Sequence, residues 1–137
     1  MVAIGEIGLD YFYLNKTSEY AHYPSKEEQA TVLVQFLKLA KDANLPIILH
    51  CRQAYSDLIN LLKKEGVLGG GVIHCFTGTP EDAGLFLKMG FYLSFAGNIT
   101  YSDKLNEIVQ AVPLERLLLE TDAPYLAPEP YRKKKKG

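Results

Sequence analysis

The sequence predicts an α/β fold built on a parallel sheet, and three observations predict it. Short β-rich apolar runs alternate with amphipathic helical segments along the chain, in the order βαβαβαβαβ. The clearest run, Pro46-Ile47-Ile48-Leu49-His50, is apolar without alternation, the pattern of a strand covered on both faces. Helix caps and breakers sit between the runs. With 137 residues, 47% hydrophobic and 23% charged, the chain has enough apolar material for one core, which excludes a disordered or collagen-like polymer. The expected organisation is a single domain over residues 1–137, with a Pro- and Lys-rich tail over 127–137.

Val2-Ala3-Ile4-Gly5-Glu6-Ile7 reads as a first short strand. Ser25-Lys26-Glu27-Glu28 has capping-box spacing, and Ala30, Leu33, Leu37 and Ala40 recur at helical period, predicting a helix from about 25 to 43 that Asn44-Leu45-Pro46 ends. The strand 46–50 follows, then a helix with Tyr55, Leu58, Ile59 and Leu62 on one face. Gly69-Gly70-Gly71 leads into the strand Val72-Ile73-His74-Cys75-Phe76. Thr79 then caps a helix whose first turn holds Pro80, Glu81 and Asp82, where a missing N–H and negative charge suit the helix dipole, and Gly90 closes it. Phe91 to Phe95 is a fourth strand, Ser102 to Val112 a fourth helix with Leu105, Ile108, Val109 and Val112 inward, and Leu117-Leu118-Leu119 a fifth strand. A closed (β/α)8 barrel takes about 250 residues. Five strands therefore leave an open doubly wound sheet or an arc of a barrel as alternatives.

Fifteen Lys and Arg against sixteen Asp and Glu give a net charge of -1, so no global basic field marks a nucleic-acid or membrane-surface binder. No apolar run approaches the roughly 20 residues of a membrane span, and the first residues lack signal-peptide character. The expectation is a cytoplasmic protein without membrane contact. Cys51 and Cys75 fit no disulfide-rich scaffold and read as reduced thiols. The lysine run 133–136 reads as a solvated terminus, with a nonspecific phosphate contact as its functional alternative.

Chemistry concentrates at the strand ends. Each predicted strand delivers a polar residue at or just beyond its C-terminal end: Glu6, His50, His74, Ser94, then Glu120 and Asp122. Parallel α/β folds gather their strand carboxyl ends on one side, where residues distant in sequence converge. Imidazole with carboxylate suits divalent first-row metals, which makes Glu6, His50, His74 and Asp122 the candidate ligands. Singly, each has a plainer reading as a hydrogen-bonded histidine or a helix-capping acid. Cys51 and Cys75 each follow a His and invite a mixed His/Cys zinc site, but successive strand residues face opposite ways, so buried apolar thiols are expected instead. Asp10, Arg52 and Thr77 follow strand ends, where substrate contacts fall. The Arg52 guanidinium is suited to clamp an anionic oxygen, its alternative being a surface salt bridge. His22 reads as a solvated loop residue.

Four motifs in order resemble the TatD family of metal-dependent hydrolases, among the amidohydrolase-like TIM barrels. They are Gly5-Glu6-Ile7-Gly8-Leu9-Asp10-Tyr11, Pro46-Ile47-Ile48-Leu49-His50-Cys51-Arg52, His74-Cys75-Phe76-Thr77-Gly78, and Leu119-Glu120-Thr121-Asp122-Ala123-Pro124-Tyr125-Leu126. The resemblance implies a partial TIM barrel of about five parallel strands, corresponding to barrel strands four to eight. It further implies that Glu6 bridges two divalent ions (Mg²⁺, Mn²⁺ or Zn²⁺), that His50 and His74 are ligands, and that Asp122 binds metal and handles the proton of the attacking water. Glu120 is similar to a further active-site acid of the family. The implied activity is phosphodiester hydrolysis in DNA, as an exonuclease, with RNA cleaved by some members.

Two departures stand out. The His-x-His pair of the family's first strand and an Arg-Gly-x-x-Asn-x-Pro stretch beyond Tyr125 have no counterparts, so a chain shortened at both ends is expected, with its outer strand edges open to an oligomer partner. The alternatives are an inactive nucleic-acid-binding or interaction module, or a hydrolase of a small ester or amide.

Overall fold

A computed structural model describes residues 2–14, 22–67 and 69–132. Its elements run β1 (Ile4–Asp10), α1 (Lys26–Asp42), β2 (Ile47–Arg52), α2 (Tyr55–Lys64), β3 (Gly71–His74), α3 (Pro80–Lys88), β4 (Tyr92–Phe95), α4 (Asp103–Ala111) and β5 (Leu117–Leu119). Short 3-10 turns at Gly97–Tyr101 and Leu114–Arg116 flank α4. The lysine run 133–136 lies outside the described residues. Among those residues, no helix is long and apolar enough to cross a membrane.

The sheet is parallel throughout, in the order β1-β2-β3-β4-β5. Doubly wound sheets reverse their strand order part-way so that helices cover both faces. Here every crossover steps the same way, and right-handed connections then place every helix on one face. That order makes the sheet an arc of a barrel. On β2, Ile47, Leu49 and Cys51 are buried in one cluster with Leu33 and Leu37 of α1 and Leu58 and Leu62 of α2, while Ile48, His50 and Arg52 are only half-buried. The apolar run 46–50 is thus covered on one face, not the two that its composition suggests. Its second face looks into the open arc, where the side chains that carry chemistry stand.

The capping boxes form as the spacing predicts. Ser25 and Thr79 accept from the N–H groups of Glu28 and Asp82, and those acids accept from the cap N–H groups in return. The exposed Glu28 carboxyl, bonded by the Ser25 N–H at 2.8 Å, is held below its ordinary value. The stabilisation this contributes is present above the unfolded pKa and fades as pH falls through the lower folded value.

β1 and β2 outrun their sequence limits, so that Asp10 and Arg52 end these strands rather than follow them, and β3 falls short of its own. β1 continues to Asp10, because Gly8, Leu9 and Asp10 pair with His50, Cys51 and Arg52 of β2. Gly8 is not a breaker there: a Cβ on it would lie 1.8 Å from the His50 carbonyl oxygen, so only glycine lets the strands close. Glu6 therefore stands in mid-strand rather than at the strand end, where the register between Ile4 and Ile7 is irregular. Such an irregularity re-aims side chains. β3 in turn stops at His74, and Cys75 leaves it with φ 46.

Fully buried Phe86 anchors the core under β3 and β4. Its ring lies 6.2 Å from Phe91, 6.3 Å from Tyr55 and 6.5 Å from Phe76, in edge-on contacts. Phe86→Ala should lower the unfolding free energy by about 3–5 kcal/mol, against about 1 kcal/mol for the cap substitution Thr79→Ala. Urea midpoints measure both, and a Phe86→Ala loss no larger than the cap's would contradict this core.

Candidate metal centre

Strand register sets the site. His50 pairs with Gly8 on one side and with His74 on the other, which brings the imidazoles abreast with ring centroids 6.2 Å apart. Glu6 reaches both: its Oε1 lies 3.0 Å from His50 Nδ1 and its Oε2 3.7 Å from His74 Nε2. One ligand atom from each of the three lies within 4.8 Å of the others. Asp122, in the loop after β5, places Oδ1 3.4 Å from His74 Nε2, and Asp10 places Oδ2 3.5 Å from His50 Nε2. The expected ligands Glu6, His50 and His74 are thus gathered, with Asp122 beside them.

The donors fit a cation. His50 Nδ1 is buried and makes no hydrogen bond, although Glu6 Oε1 is only 3.0 Å away. A buried polar atom in that condition calls for a partner, and an ion taking a lone pair from each atom supplies it.

Glu120 is saturated. Its Oε1 accepts from the Cys75 N–H at 2.7 Å and from the Ser94 hydroxyl, and its Oε2 lies 2.5 Å from His74 Nδ1. A carboxylate on one ring nitrogen fixes the imidazole tautomer, leaving His74 Nε2 with its lone pair toward Glu6 and Asp122. The buried Ser94 directs its hydroxyl to this bond.

Glu6, Asp10, His50, His74 and Asp122 border one cavity of about 600 Å³ that also takes in Arg52, Thr77, Cys75, Asn98 and Tyr125. Arg52 holds its guanidinium 3.5 Å from the centre of the Phe12 ring and 3.8 Å from Asp10 Oδ2. Thr77 is tied to the Tyr55 hydroxyl, which accepts from its N–H at 3.0 Å. Asp10, Arg52 and Thr77, read as substrate contacts, all line this cavity. His22 is exposed and lies outside it.

Both cysteines are free. Both border the cavity, but Cys51 is buried as expected, whereas Cys75 is only half-buried, because β3 ends before it. Burial, then the charges of Asp122, Glu120 and Glu6, pushes the Cys75 thiol up to about 12, and burial pushes Cys51 up to about 12. The ligand cluster of the described residues includes neither.

The family described as "TatD related DNase" matches residues 1–137. The chain belongs to the TatD family. It is 46% identical, over 98% of its length and 51% of the relative's, to the uncharacterized metal-dependent hydrolase YabD of Bacillus subtilis (strain 168). It is 39% identical to the 3'-5' ssDNA/RNA exonuclease TatD of Escherichia coli (strain K12), over 93% of this chain and 48% of that one. Among solved structures, the YJJV TatD homolog from Escherichia coli K12 superposes with a TM-score of 0.83 at 36% identity, covering 97% of this chain and 49% of that chain. The chain spans about half the length of the curated relatives it matches.

Within this TatD-family arc, sequence reasoning missed two residues. Gln29 of α1 accepts from the Asp10 N–H at 2.8 Å and donates to the Asp10 carbonyl at 3.1 Å, gripping β1 where Asp10 leaves it. A glutamine on a helix gives no sign of such a role. Asn98 borders the cavity three residues beyond β4, and the strand-end argument applied there would have found it.

Glu120→Gln removes the carboxylate charge beside His74 Nδ1 and should weaken Mn²⁺ binding about 10–100-fold. Titration calorimetry on the folded variant measures this, and unchanged affinity would remove Glu120 from the centre.

Proposed function

We propose that this chain carries the metal-dependent phosphodiester hydrolysis of a DNA exonuclease, with RNA as a second substrate. The observation that carries the reading is the Asp122 carboxylate beside the Glu6, His50 and His74 cluster, in a cavity that also holds the Arg52 guanidinium. Glu6, His50, His74 and Asp122 would hold the divalent ions, two in the family arrangement. Such ions act as Lewis acids on a phosphate oxygen and lower the pKa of water. Two imidazoles with carboxylates favour Mn²⁺ or Zn²⁺ more than Mg²⁺.

The chain's own groups divide the remaining work. Asp122 Oδ1 takes the proton of the attacking water. Glu120, its oxygens already occupied, acts by orienting His74. Arg52 offers the fork that pairs with a phosphate, already oriented by the Phe12 ring and Asp10. Thr77, anchored by Tyr55, presents its hydroxyl at the same cavity. A binding module without turnover is the second reading, favoured by the 49% exposure of the Glu6 side chain.

Hydrolysis of a 3′-labelled single-stranded oligodeoxynucleotide in Mn²⁺ or Mg²⁺ tests the choice. Cleavage should vanish with chelator and fall about 10²–10⁴-fold in Asp122→Ala, the scale of a lost general base. A folded chain that binds the oligonucleotide and leaves it intact would establish the second reading instead.

A further inference from the structure

We propose that Asn98 recognises a sugar hydroxyl of the nucleotide seated in the cavity, an assignment that rests on the nuclease reading above. Asn98 is 7% exposed, yet its Oδ1 is buried with no hydrogen-bond partner among the described residues. Leaving such a group unpaired is costly, so buried carboxamides are nearly always satisfied. Asn98 borders the same cavity as Glu6, His74 and Asp122, and a turn of its carboxamide would bring the buried Oδ1 to a ligand seated there.

The turn that bears Asn98 is held from two sides. A Cβ on Gly97 would lie 2.3 Å from the Leu126 carbonyl oxygen, so the segment after Asp122 lies directly on the turn. Thr100 donates its hydroxyl to the Gly97 carbonyl at 2.7 Å and accepts from the Glu129 N–H at 2.9 Å. Asn98 is thereby fixed relative to Asp122, as a group that discriminates between ligands must be.

The chemistry of the partner follows from what else the cavity holds. Phosphate oxygens only accept, and Arg52 and Thr77 already offer donors for them. An acceptor beside carboxylates needs a donor, and a nucleotide's base-independent donors are its sugar hydroxyls. A hydroxyl both donates and accepts, so it satisfies the carboxamide in either orientation. The 3′-hydroxyl of a chain end and the 2′-hydroxyl of a ribonucleotide share this chemistry.

The test measures binding of 5′-fluorescein oligothymidylates by anisotropy in Ca²⁺, with the last nucleotide carrying a 3′-hydroxyl only, a 2′-hydroxyl only, or neither. The native chain should prefer one hydroxyl end over the bare end by about tenfold, the scale of one hydrogen bond. Whichever end it prefers names the source. Asn98→Leu should bring that ratio near one, and Asn98→Asp, which keeps an acceptor, should retain the ratio while weakening all three. Equal binding of the three ends by the native chain, or an unchanged ratio in Asn98→Leu, overturns the role of Asn98 and leaves the nuclease reading intact. No binding of any end by a chain that binds Mn²⁺ would remove both.

Discussion

Parallel pairing of β1, β2 and β3 in one register is the constraint on which the rest depends. It sets Gly8, His50 and His74 side by side, and successive strands in a sheet lie about 4.8 Å apart, so two imidazoles from distant parts of the chain are held at ligand spacing without any direct bond between them. Gly8 makes this possible, since any side chain there would enter the His50 carbonyl. The irregular register just before it lets Glu6 turn to both histidines from mid-strand.

A second layer of order comes from β5 and the loop beyond it. Glu120 draws together the backbone of Cys75, the buried Ser94 and the ring of His74, linking three strands through one carboxylate. Two residues on, Asp122 faces the other nitrogen of the same ring. The Glu120-Thr121-Asp122 segment thus sets one carboxylate on each nitrogen of the same histidine, the second being the one proposed to take the proton. Leu126 and Pro128, lying on Gly97, then hold the Asn98 turn against that same segment.

Much of this was legible beforehand, for physical reasons. Helix starts at Ser25 and Thr79 are local hydrogen-bonding problems that four residues solve, so spacing was enough. His74 followed from strand-end logic, whereas His50 lies inside β2, two residues before its end at Arg52. Glu6 was identified by a reason that does not hold, since it lies within β1 and is presented by an irregularity that composition does not encode. The half-open second face of β2 was not legible either, because an apolar run reads alike whether its second face meets helices or an open arc. Gln29, the donors around Glu120, and Asn98 depend on contacts between residues far apart in sequence, which no local pattern announces.

The whole arrangement stands on Glu6, His50 and His74 as the proposed ligands of a divalent ion. Electron spin-echo spectroscopy of the Mn²⁺-loaded chain tests it most directly, because imidazole nitrogens bound to the ion modulate the echo. Modulation from two imidazoles is expected, reduced to one in His50→Ala or His74→Ala. A tightly bound Mn²⁺ without nitrogen modulation, or modulation indifferent to both substitutions, would contradict it.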